Sequence, residues 1–286
     1  VTVDGSRIEN NRATQTGGGI RVFGDSRLDI RAGSALINNQ AASYGGAFAM
    51  YTGTVSFNLV TMTHNTSGGN GGAILQSRGV LTITDGDIRF NSASDDGGGI
   101  YRSGGSLLLE AVTRNSYLAV NEATRGGGLY DTSGRSAEIH APWGFSFSFN
   151  TNSARDVGGA IYLTNTSTLD IVGDMIASTN EATNDGGLAY VNGSRLTISK
   201  EPGRPTPQLG GANQALNGNG GAIYAANGAF VGLYKSRLGS THSPNYAAQD
   251  GGGIYADGST ILLRDTQIAG NKAGSDGGGL YLQNDS

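Results

Sequence analysis

The sequence predicts an all-β fold, a single-stranded right-handed parallel β-helix of about ten coils with three short strands per coil, and three observations predict it. A glycine pair returns ten times along the 286 residues, with first glycines at Gly17, Gly45, Gly71, Gly97, Gly126, Gly158, Gly186, Gly220, Gly251 and Gly277, at intervals of 26 to 34 residues. An asparagine stands upstream of every pair, and large apolar residues fall at fixed offsets after it. A period of this length marks coils that bury an apolar face only by stacking on a neighbour. Right-handedness follows from the general bias of crossover connections between parallel strands.

One short coil, residues 71–96, shows the elements in order. Gly71 and Gly72 make a corner, where glycine supplies a positive φ and keeps the turn narrow enough for coils to stack. Ile74, at offset 3 from the first glycine, opens the first strand. After a Ser/Gly cluster come Leu81 and Ile83, which alternate with Thr82 at the period of a strand, and then Ile88 at offset 17. Phe48, Val55, Phe57 and Met62 take the same offsets one coil earlier, and Ile254, Ile261, Leu263 and Ile268 take them near the other end. Nothing in the chain has the three-and-four spacing of an amphipathic helix, so a phosphate-cradling reading of the glycines, which needs a following helix, is excluded.

The asparagine closes the coil. It is Asn11, Asn39, Asn65, Asn91, Asn152, Asn180, Asn245 or Asn271 at six residues before the glycine, and Asn121 or Asn213 in the two coils that miss by one. Stacked at one corner, these amides are expected to form a ladder that satisfies buried turn groups; a neutral amide column is a poor metal site.

Composition sets the remaining bounds. The repeat runs end to end, so residues 1–286 count as one elongated domain, expected to be a piece of a longer surface protein because it starts and stops inside a repeat. Charged residues are 15% of the chain and the net charge is −4, which gives no basis for nucleic acid or an anionic membrane as partner. No apolar run is long enough to span a bilayer. With Cys 0 there is neither a disulfide framework nor a thiolate metal site, and no cofactor is expected.

GGAF at residues 45–48, GGAI at residues 71–74, 158–161 and 220–223, and FNTN at residues 149–152 resemble the GGA(I/L/V) and FxxN motifs of the polymorphic outer membrane protein repeats. The GGGIY copies with N-x-A upstream also resemble bacterial secreted β-helix repeat proteins. The phenylalanine of the FxxN motif is replaced by Ile8, Leu36, Met62, Ile88, Leu118 and Ile268, and the third glycine-motif position is often Gly, so the likeness is broad. It implies a right-handed β-helix, an extracellular or cell-surface location, and an autotransporter-like passenger or other surface protein, often adhesive; a non-catalytic rod is expected, since no converging set of acids can be argued from the sequence. Its expected partners are other surface proteins, or a protein or polysaccharide of a host or neighbouring cell, with end-to-end or side-by-side self-assembly carried in the same expectation.

Two surface features are candidates for binding. At offset 4, beside the inward aliphatic, seven consecutive coils place Tyr101, Tyr130, Tyr162, Tyr190, Tyr224, Tyr255 and Tyr281, where the first three coils have Arg21, Ala49 and Leu75. The tyrosines are expected to point outward, either packing on one another to stabilise the sheet or forming an amphipathic strip for sugars or a protein. The long coils carry insertions at residues 137–148 with Trp143, 200–211 with Arg204, and 234–246 with Arg237 and His242, which would form a lip if all leave one corner. The competing class is a polysaccharide lyase or glycoside hydrolase on the same scaffold, which needs carboxylates converging on one groove. Asp96, Asp185, Asp250 and Asp276 recur before the glycine pair, and turn propensity explains them; His64, His140 and His242 share no offset.

Overall fold

The computed structural model describes all residues of the chain except Trp143, Pro202 and Arg204. The chain coils into a parallel β-solenoid, every paired strand running in the same sense as the equivalent strand one coil away. Four columns of strands result. The first sheet, ten strands from Ile20–Val22 to Leu280–Gln283, follows the glycine corner. The second, ten strands from Thr2–Asp4 to Thr260–Arg264, carries the longest strands. The third has seven strands from Arg7–Glu9 to Met175–Ser178, then a separate pair, Arg237–Leu238 and Gln267–Ile268. These are the three strands per coil that the apolar offsets predict. A fourth column of two-residue strands, ten from Arg12–Ala13 to Lys272–Ala273, lies just past the asparagines, too short to show any alternation in sequence. No helix among the described residues is long and apolar enough to cross a membrane.

The apolar offsets face one continuous core. Ile74, Leu81, Ile83 and Ile88 are at most 3% exposed, and Phe48, Val55, Phe57 and Met62 at most 1%. Each inner face is covered by the sheets opposite, which parallel sheets require. Ten coils at the usual strand spacing of about 4.8 Å give a rod roughly 45 Å long.

The glycine pair has two separate physical causes. Each first glycine is in the left-handed region, from φ 59° at Gly126 to 71° at Gly71, a conformation costly for residues with a Cβ. The second glycine answers a different demand: a Cβ on Gly46 would be driven into the backbone carbonyls of Gly72 and Thr66 in the next coil, and one on Gly159 into those of Gly187 and Glu181.

The insertions leave by two corners. The first insertion follows the second-sheet strand Ser136–Ala141 and precedes the third-sheet strand Phe147–Asn150, and the second follows the second-sheet strand Arg195–Ser199, whereas the extra residues of the third long coil fall between Leu238 and Tyr246, past the third sheet. The expected single lip is therefore split. The segment at 200–211 interrupts the third sheet, leaving Gln208 as a lone bridge between Ile176 and Arg237.

Candidate functional site: a tyrosine column beside an amide ladder

The ladder is the frame on which the surface features sit. Asn Nδ2 donates to Oδ1 of the asparagine one coil on in nine successive links, 2.9–3.3 Å long, from Asn11 to Asn271. The same Oδ1 accepts the backbone N–H of the preceding asparagine, as Asn152 Oδ1 does from Asn121 at 3.0 Å. The second Nδ2 proton reaches a third-sheet carbonyl one coil back: Leu36 from Asn65, Leu118 from Asn152, Leu238 from Asn271. Two donors and two acceptor sites of each interior amide are thus engaged inside the core, where an unpaired polar group is costly. Asn121 and Asn213, one residue out of step with their glycines, stand in register here, because the turn between asparagine and glycine absorbs the difference.

The tyrosines of the first sheet pair in register from Tyr101 to Tyr281. Their rings stack face to face, with centroids 4.7–5.2 Å apart and planes within 12° of parallel. They point away from the core, yet each is covered by its neighbours: Tyr130, Tyr162 and Tyr255 are 7% exposed, and the other four are half-buried. Arg125, paired with Asp96 at 2.8 and 2.9 Å, lies 5.2 Å from the Tyr130 ring and 5.6 Å from that of Tyr162 and covers this part of the column. Burial raises the phenol pKa of Tyr101, Tyr130, Tyr224 and Tyr255 above the usual tyrosine value and pushes that of Tyr190 up to about 12. The column therefore presents ring edges and hydroxyls, its ring faces being consumed by stacking.

At one end the stacking stops. Leu75 holds the equivalent place in the coil before Tyr101, and Leu75 and Tyr101 line an open notch of about 230 Å³ with Tyr44 and Tyr51. Arg21 continues the aromatic surface beyond it, 5.0 Å from the Tyr51 ring and 5.8 Å from that of Phe23.

Two of the aspartates before the glycine corners, Asp185 and Asp250, hold backbone of the next coil. Asp185 Oδ1 accepts the Asn219 N–H at 2.7 Å, Asn219 Oδ1 that of Asp250 at 3.0 Å, and Asp250 Oδ1 that of Asp276 at 2.8 Å, a short second ladder that turn propensity alone does not reveal. Burial raises the Asp185 pKa against its hydrogen bonds from Asn219. Among the described residues no three His, Cys, Asp or Glu side chains group as metal ligands would.

A further feature escaped the sequence reading. Arg102 and Asp131, at the inward offset 5 of adjacent coils, form a fully buried ion pair of 2.6 Å. Arg102 also donates to the carbonyls of Gly105, Ser136 and Arg135, and Asp131 accepts from the Ser133 N–H and Ser167 Oγ. Opposite charges at one inward offset in neighbouring coils were the signal available for it.

Of the predicted loop residues, Trp143 and Arg204 lie outside the described residues. Arg237 stands in the third sheet and lines a cleft with Lys200, Lys235 and Gln208. It is separated from the tyrosine column by the second sheet.

Residues 59–77 match the model of the Chlamydia polymorphic membrane protein (Chlamydia_PMP) repeat. The matched stretch runs through Met62, the ladder residue Asn65 and the Gly71 corner to Gln76, so the chain is a parallel β-solenoid carrying a repeat of that type. Comparison with curated proteins and with solved structures found no match.

Proposed function

We infer that this chain is a non-catalytic, surface-associated β-helix rod of the adhesin type, and that its tyrosine column is the face that meets a partner protein or polysaccharide. The observation that supports this is the register of seven tyrosines on one sheet, held by stacking, with Tyr101 bordering an open notch at one end. A strip already ordered loses little side-chain entropy on binding. Its hydroxyls repeat once per coil, a spacing of about 4.8 Å that suits a chain ligand lying along the axis. The extracellular location comes with the repeat likeness and belongs to the same proposal. On the catalytic alternative, the Asp96 carboxylate pairs with Arg125, and those of Asp185 and Asp250 accept backbone N–H groups.

The test uses Tyr→Phe at Tyr101, Tyr190 and Tyr224, which keeps the stack and removes hydroxyls, together with Leu75→Tyr, which extends the stack by one coil into the notch beside Tyr101. Adhesion of cells displaying the protein falls in both if the strip binds. Full adhesion in both variants, with melting curves unchanged, removes the column from the binding face.

A further inference from the structure

Lysine is rare in this chain: Lys200, Lys235 and Lys272 are all there are, and the first two line one cleft. The cleft has two lobes of about 520 and 590 Å³ that share Lys200, Lys235 and Asp265. Arg237 faces one lobe and Arg264 the other, so four cations meet one carboxylate on a protein whose net charge is −4. Between described residues every ion pair falls from Asp4 to Arg155, none of them in this cleft. Arg237 Nε is buried with no hydrogen-bond partner among the described residues, a donor left unused.

The register sets the two lysines one coil apart. Ser199 pairs with Tyr234 and Tyr234 with Arg264, so Lys200, Lys235 and Asp265, each one residue further on, follow one another in three successive coils, with Arg264 beside Asp265. Lys200 and Lys235 therefore stand about one strand spacing, 4.8 Å, apart along the axis. Tyr234 offers an aromatic surface in one lobe, and Gln208 and Gln267 offer amides in the other, which both donate and accept as sugar hydroxyls require.

We propose that this cleft binds an acidic polysaccharide, its carboxylate or sulfate groups seated on Lys200, Lys235, Arg237 and Arg264. The site lies beyond the second sheet from the tyrosine column and does not rest on it. Carbohydrate is favoured over nucleic acid because the groups between the cations are hydroxyls and amides, with no stacking platform of several aromatics among the described lining residues.

The experiment titrates the intact protein by calorimetry with two size-defined probes, a sulfated uronate–hexosamine oligosaccharide and an unsulfated polyuronate oligosaccharide; the tighter of the two identifies the anion. K200Q/K235Q weakens that binding about tenfold, as loss of two charge-assisted contacts should. R27Q/R78Q, which removes two exposed cations elsewhere, leaves it within about twofold. R264Q supplies a second cleft variant should the double one fail to fold. Absence of binding by the wild type to both probes overturns the proposal. So does an equal loss in R27Q/R78Q, which is charge alone, or tighter binding of duplex DNA at the same lysines. Unchanged adhesion in the tyrosine variants leaves this outcome untouched, so the two readings fail separately.

Discussion

Replacing Asn152 by alanine tests the amide ladder at its centre. Asn152 is fully buried, and its side chain makes four hydrogen bonds: two accepted from Asn121 at 3.0 and 3.3 Å, one donated to Leu118 O at 2.9 Å, and one to Asn180 Oδ1 at 3.1 Å. Asn180 Oδ1 keeps the Asn152 N–H, and Asn121 Nδ2 keeps Ile88 O. Two buried donors, the Asn121 N–H and its second Nδ2 proton, are left without acceptors. At about 1–3 kcal/mol for each orphaned group, the loss is about 4 kcal/mol. Asn217, exposed and with no side-chain hydrogen bond among the described residues, provides the control: alanine there changes stability by less than about 0.5 kcal/mol. Asn152→Asp retains the shape while replacing a double donor with an acceptor facing Leu118 O and Asn180 Oδ1, and loses at least as much as the alanine variant. Urea unfolding followed by circular dichroism measures all three. A loss below about 1 kcal/mol in Asn152→Ala, or a stable Asn152→Asp, refutes the argument that the amides hold the coils together.

Asp131→Leu strands the buried Arg102 guanidinium and costs about 3–5 kcal/mol, whereas Arg102→Met with Asp131→Leu recovers more than half, the next coil already having Leu163 in that place; a double-mutant cycle in urea reads the difference. Gly46→Ala drives a Cβ into the carbonyl of Gly72 and costs more than about 3 kcal/mol, against about 1–2 for Gly33→Ala, whose Cβ meets nothing and which carries only left-handed strain; thermal melts rank the pair. The phenols set an alkaline limit. The folded pKa of Tyr190 is raised from 10.0 to about 12, so the unfolded chain gives up its proton first; stability is intact below pH 10 and is lost as pH rises toward 12. Phenolate absorbance of the folded protein that titrates at the free-tyrosine pH contradicts this, and Tyr190→Phe flattens the alkaline fall in melting temperature.

The repeating part of the structure was legible because each apolar residue reports on itself. Ile74, Leu81, Ile83 and Ile88 lie inside where their offsets put them, and every coil votes on the same pattern. Asn121 and Asn213 depart from the six-residue spacing to the glycine but keep their rungs, because the intervening turn takes up one residue. The tyrosines were placed in their column, but their burial depends on ring geometry between coils, which spacing does not encode. Arg102 and Asp131 occur once each, so no repetition marks them, and they acquire meaning only when coil registers are known. The corner of the third insertion does not follow from its offset, because Arg237 and Leu238 first complete a strand.

Every rung of the amide row points the same way, nitrogen toward the later coil and oxygen toward the earlier one. The row thus has polarity, and each storey offers an identical socket below and an identical plug above. A whole turn can be duplicated or removed between two asparagines without altering what its neighbours meet, while a part of a turn cannot. Length is then a free variable of such a chain, adjustable in steps of one repeat during its evolution.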